Sequence, residues 1–222
     1  MKLERLWAAT GLLCVALFGC GLLFGDVVAS DPYPQLDEPA GEVRRYFLDN
    51  EVEVRALAFF HMLSAIALLL FAVYLRRFAA LAVAGGVTAA AFLFLSALFF
   101  RTLAEPAVAG DASVTHALLV LSYLAGGPGI SVPLAPLIGA ASVAARRSAL
   151  LPSWICSLGF VAAPVSLASA AMVLGPARNT SALFSLLLIA AGLAFLWILV
   201  ASVALVRTPH GVRQSAQVSS PA

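Results

Sequence analysis

Two histidines, His61 and His116, sit inside long apolar stretches. An imidazole in that setting can ligate a metal or haem, relay a proton or hydrogen-bond a ligand, and burying it in lipid is costly enough to raise a functional question. A bis-histidine haem needs both rings facing each other at one depth, whereas these two are expected about two helical turns apart. Neither residue has the neighbouring donors that a metal site requires, so no metal and no cofactor is expected. With Tyr123, Asp26, Glu105 and Asp111, the two histidines can instead line a polar pocket toward one face of the membrane. The structural alternative makes His61 a hydrogen-bond partner of Ser64 or of a neighbouring helix, and His116 an interfacial side chain.

The second constellation is Gly126-Gly127-Pro128-Gly129, followed by Pro133 and Pro136. Proline removes a backbone donor, and glycine tolerates the resulting bend, so a helix is expected to break here. Broken helices at mid-membrane depth expose backbone groups to substrate in many transporters. That adds Gly127 and Pro128 to His61, His116 and Tyr123 as candidate ligand-binding residues. A matching broken segment elsewhere is missing, because Pro164 has no flanking glycines. A packing kink at which small residues bring helices close is the competing explanation. No nucleophile elbow, His-Glu-x-x-His, phosphate loop or paired carboxylates occur within an apolar stretch, so nothing points to catalysis.

The elements that must position these residues follow from composition. Of the 222 residues, 62% are hydrophobic and 11% charged, against about a quarter charged in a soluble domain. The apolar residues fall into separate runs of about 20 or more, the length that crosses a hydrocarbon layer of ~30 Å as a helix. They lack the two-residue alternation of barrel strands. The expected fold is all-α: a polytopic transmembrane helix bundle with six spans at about 6–28, 54–75, 78–100, 114–145, 152–175 and 182–206. The fourth run is too long for one straight crossing and is expected to kink near 126–129. Residues 208–222 read as a disordered cytoplasmic tail.

The first run is also open to reading as a signal peptide, since Val28-Ala29-Ser30 has small residues at a cleavage-like position. Its length exceeds that of a typical signal core, which favours an uncleaved span. Residues 31–53 form the long polar loop. Within it Val43, Tyr46, Phe47 and Val54 share one face at helical spacing, predicting a short amphipathic helix at the interface or an extension of the second span. Cys14, Cys20 and Cys156 all lie in apolar runs and read as packing residues.

Charge sets the expected orientation. With both termini inside, Lys2, Arg5, Arg76, Arg77, Arg146, Arg147, Arg207 and Arg213 face the cytoplasm, and Arg44, Arg45, Arg55, Arg101 and Arg178 face out. The arginine pairs in the short turns decide this N-in/C-in arrangement. No basic patch points to nucleic acid. The strong preference for Arg over Lys, together with abundant Ala, points to a GC-rich bacterial genome.

The segment from Glu42-Val43 through Tyr46-Phe47 to Asn50, with a following span that ends Leu75-Arg76-Arg77, resembles a family of uncharacterised bacterial six-span membrane proteins. That family is a domain of unknown function with an acidic outer loop, a Tyr-Phe-x-x-Asn helix and an Arg-rich end to the second span. The resemblance runs through the first half by motif and through the rest by hydropathy. It implies topology and a bacterial inner-membrane location, and it carries no activity.

Three functional expectations remain. The first is an inner-membrane component with a structural, regulatory or partner-binding role, contacting lipid and either another membrane protein or copies of itself. The second is a small-molecule or lipid carrier with a pocket at the fourth-span break. The third is a haem- or quinone-associated redox protein.

Overall fold

The computed structural model describes residues 2–175 and 182–207; the tail expected to be disordered, 208–222, lies outside them. Among the described residues there is no strand, and six helical crossings are long and apolar enough to span a membrane. Helix α1 (Lys2–Leu23) continues through a π-helical turn at Phe24–Val28. It is followed by α2 (Ala40–Asp49), α3 (Glu51–Leu75), α4 (Ala80–Leu103), the single turn α5 (Pro106–Ala109), α6 (Ala112–Gly126), α7 (Pro128–Arg147), α8 (Ser153–Ala168, extended by a 3-10 turn at Ser169–Leu174) and α9 (Ala182–Arg207). Leu69, Val73, Leu95, Leu188 and Leu196 are exposed on the outside of the bundle. In water such a surface would aggregate; in a bilayer it is solvated.

The crossings pack in chain order into a closed ring, α1 on α3, α3 on α4, α4 on α7, α7 on α8, α8 on α9, and α9 back on α1. Lipid offers no hydrophobic drive for helices to associate, so close approach through small residues has to supply the contact energy. At the α4–α7 crossing a Cβ on Gly85 would fall 2.4 Å from the Pro133 carbonyl, which means the two backbones touch. Near one end of the ring sit Arg76, Arg77, Arg146, Arg147 and Arg207, and there Glu4 of α1 pairs with Arg77 at 2.8 Å. In the half of the ring toward this arginine end the interior is filled by Leu68, Phe71, Leu134, Leu137, Ile138 and Trp197.

The opposite end is closed by a second cluster, in which Leu36, Val43, Tyr46 and Phe47 meet Leu103 and Leu119. Helix α2 therefore turns its apolar face onto α6 and the bundle rather than onto lipid. Asn50 separates α2 from α3 with a non-helical φ of −118° and ψ of 37°, so the two helices are distinct elements.

The fourth crossing is divided at Gly127. Pro128 cannot donate to the carbonyl four residues back, but it suits the first position of a new helix. Gly127 turns with φ −93° and ψ −101°, and its carbonyl accepts from Ile130 and Ser131 at 3.1 and 2.9 Å to start α7. A Cβ on Gly127 would lie 2.6 Å from the Tyr123 carbonyl, so a glycine is needed there. Beyond the break α7 stays helical through Pro133 and Pro136, which neighbouring helices allow in a membrane bundle.

Candidate functional site

Between the two clusters the interior is not filled. A cavity of about 640 Å³ is bounded by α1, α3, α4, α9 and the α6–α7 break, a volume within the ~300–1,000 Å³ range of small-molecule sites. Helix α3 places His61 on its wall, ~15 Å along the axis from Glu51 and so at hydrocarbon depth. The ring is 4% exposed. It stacks on Phe18 of α1, with centroids 4.7 Å apart and planes 6° apart, and Phe100 of α4 tilts against it at 5.8 Å. Gly21 admits the ring, since a Cβ there would fall 2.9 Å from Nε2.

Neither imidazole nitrogen makes a hydrogen bond, although the Phe18 backbone is close by. The pairing with Ser64 expected from sequence is not made, because the Ser64 hydroxyl donates to the Cys14 carbonyl at 2.9 Å. An unpaired buried polar group costs roughly 1–3 kcal/mol. On the far wall Ser96 and Ser122 are buried. Ser96 donates to the Ser122 carbonyl at 3.1 Å and Ser122 to the Leu119 carbonyl at 2.7 Å, so each hydroxyl proton is already committed to backbone.

The end of the cavity beneath α2 is roofed by the segment 31–39, from which Tyr33 and Gln35 contribute to the lining. Proline at 32, 34 and 39 keeps this segment from forming a helix, leaving its carbonyls free to accept. The Tyr123 hydroxyl donates to the Pro34 carbonyl at 3.2 Å, and His116 Nε2 approaches the Leu36 carbonyl at 3.2 Å. The Tyr46 hydroxyl donates to the Gly25 carbonyl at 2.7 Å. Burial first, then the Asp26 and Glu53 carboxylates, hold the Tyr46 phenol above its ordinary pKa of 10; burial and the neighbouring Tyr123 and Tyr46 do the same to Tyr33. Both phenols therefore stay protonated over the biological pH range, and the Tyr46 donor persists.

Sideways the enclosure is thinner. Gly19 of α1 and Gly192 of α9 both line the cavity, and a Cβ built on either would meet no atom within 4 Å. Leu22 and Leu188 beside them are exposed on the outer surface. The wall between α1 and α9 is thus a slot edged by glycine.

Of the residues singled out from sequence, His61, Tyr123 and Gly127 come together on this one cavity, while His116 and Pro128 are not among its lining residues. His116 anchors the roof from outside, and Pro128 is buried at the start of α7. Asp26 also lines the cavity. Glu105 pairs instead with Arg101, and Asp111 caps α6 by accepting from Ser113 and Val114 at 2.9 and 3.1 Å. Ser96, Ser122, Phe18, Tyr33, Gly19 and Gly192 were not foreseen as site residues. The serines carried a usable signal, being polar within apolar runs, but the glycines carried none. Among the described residues no three His, Cys, Asp or Glu side chains are grouped to hold a metal ion.

The fold and site define a multi-pass α-helical membrane protein with an internal, largely apolar cavity. No family model matches the chain, and neither a curated protein nor a solved structure is significantly similar to it.

Proposed function

We propose that this is a bacterial inner-membrane protein that binds or carries a small, mostly apolar molecule, taken up from the bilayer into the cavity between the two cores. The observation that carries the reading is a cavity of ligand size that holds an unpaired buried histidine. A scaffold would gain stability by filling that space, since voids in packed interiors cost contact energy. A roof tied down toward the aqueous side and a glycine-edged slot toward lipid favour lateral exchange over passage from water. Release of a bound molecule on the far side would make the protein a carrier; retention would make it a binding component.

The test is an inventory by native mass spectrometry of small molecules retained in lipid nanodiscs. Wild type is expected to hold one apolar molecule in stoichiometric amount. Gly192→Leu, whose side chain grows into open space, is expected to fold and to lose it. A preparation holding nothing beyond bulk lipid, or a Gly192→Leu variant that retains the molecule fully, counts against the proposal.

The orientation is part of the same proposal, with α2 and the roof in the periplasm and the arginine turns in the cytoplasm. In a cysteine-free background, a membrane-impermeant thiol reagent added from the periplasm should label Asp37→Cys and spare Arg147→Cys. The reverse pattern would invert the topology.

A further inference from the structure

Resting on the cavity as a ligand site, we infer that its ligand is a neutral amphiphile recognised through a hydroxyl group, and that His61 is the residue that reads it. The hydrogen-bonding inventory of the cavity supports this. A neutral imidazole offers one donor and one acceptor, and in His61 neither is held in a hydrogen bond of good geometry, the Phe18 backbone being its near polar neighbour. Ser96 has given its proton to the Ser122 carbonyl at 3.1 Å and so faces a ligand as an acceptor. The buried Tyr33 hydroxyl, also lining the cavity and unpaired, adds one donor and one acceptor, so acceptors outnumber donors among the cavity's polar groups. A ligand bearing only a ketone, ester or ether oxygen would leave acceptors unanswered, whereas a hydroxyl donates to one and accepts from the imidazole N–H.

Charge narrows the class further. No Lys or Arg is among the described residues lining the cavity, and its one charged lining residue is the carboxylate Asp26. An anionic headgroup at His61 would be buried without a counter-ion, which is strongly unfavourable at this depth. The remaining walls mix aliphatic side chains with aromatic ones: Phe18 stacks on both His61 and Phe195, at 4.7 and 4.2 Å, and Tyr123 lies against Phe184 at 6.2 Å. Such faces suit a ring as well as a chain. A ring phenol and a long-chain alcohol both present the required hydroxyl, and the experiment separates them.

The probes share a dodecyl tail and differ only at the head: para-dodecylphenol, dodecanol, para-dodecylanisole and dodecanesulfonate. Each is titrated into the full chain in phosphatidylcholine nanodiscs, and the shift in thermal unfolding is followed. The phenol and the alcohol should both stabilise wild type, the tighter of the two marking ring or chain as the natural body. The anisole, which keeps the shape of the phenol but cannot donate, should bind about tenfold more weakly, as one lost hydrogen bond implies, and the sulfonate should not stabilise at all. His61→Leu should erase the preference for phenol over anisole, and His61→Gln, which again offers a donor and an acceptor, should restore part of it.

Equal binding of phenol and anisole, or stabilisation by the sulfonate matching the phenol, would overturn the hydroxyl assignment, and a preference that survives in His61→Leu would overturn His61 as its reader; each leaves the cavity proposal in place. If no probe shifts unfolding in wild type, the cavity proposal falls as well. His61→Leu removes two unpaired nitrogens from an apolar wall and should not impair folding, so the comparison does not rest on a damaged protein.

Discussion

Gly85→Leu should abolish assembly of the bundle, and Gly192→Leu should leave it intact, although each is the same substitution inside an apolar helix. At Gly85 the first added carbon would lie 2.4 Å from the Pro133 carbonyl and 2.7 Å from the Leu137 nitrogen. Both are backbone atoms of α7, which cannot rotate aside as a side chain can. The α4–α7 crossing must open, and with it the contacts that join the third span to the fourth. Overpacking a core with a side chain typically costs about 1–3 kcal/mol, and a clash against backbone at a helix crossing belongs at or above the top of that range. At Gly192 the same carbon meets nothing within 4 Å, and leucine is the better helix former by up to ~1 kcal/mol. Folded yield and reversible unfolding in detergent should therefore separate the variants by ~3 kcal/mol or more. Similar stability in the two would mean that α4 and α7 are not in backbone contact.

The contrast also marks what could be read from the chain. The class of fold was legible because solvation by lipid imposes a coarse, one-dimensional rule: apolar runs of membrane-crossing length have to be helices. The break at Gly126-Gly127-Pro128 was legible because proline and glycine act on their own backbone. Gly19, Gly85 and Gly192 look alike in sequence, yet one is a backbone contact and two edge a cavity. That difference exists only once α4 meets α7 and α1 meets α9. His61 could be placed at depth from helix arithmetic, but its natural partner by spacing, Ser64, proved to be turned toward the Cys14 carbonyl. Side chains three residues apart on a helix share a face only approximately, and the neighbouring helix decided which of them was satisfied. Asn50 sat within a motif that sequence reading tied to a family resemblance alone, and the structure supplies a mechanical role for it.

Asn50→Ala should cost about 2 kcal/mol of stability and loosen the roof of the cavity. Asn50 is 1% exposed, and its side-chain oxygen accepts from the Ser30 backbone N–H at 2.8 Å and the Ser30 hydroxyl at 2.9 Å. Its amide donates to the Tyr46 carbonyl at 3.0 Å. One side chain thus ties the end of the first span to the joint between α2 and α3. Alanine removes all three bonds, each worth about 0.5–1.5 kcal/mol net, while the Tyr46 carbonyl keeps the residue 50 backbone N–H at 2.9 Å. Tyr46→Phe removes the single bond to the Gly25 carbonyl and should cost about 1 kcal/mol. Both bonds restrain the stretch from Gly25 to Ser30, so once one is lost the other has less left to hold. The double variant should then lose less than the sum of the singles, a coupling of at least ~0.5 kcal/mol. A roof freed in this way admits water to the apolar cavity, so the phenol probe should bind Asn50→Ala more weakly than wild type even though Asn50 does not line the site. Strictly additive losses together with unchanged probe affinity would show that this joint and the cavity are mechanically independent.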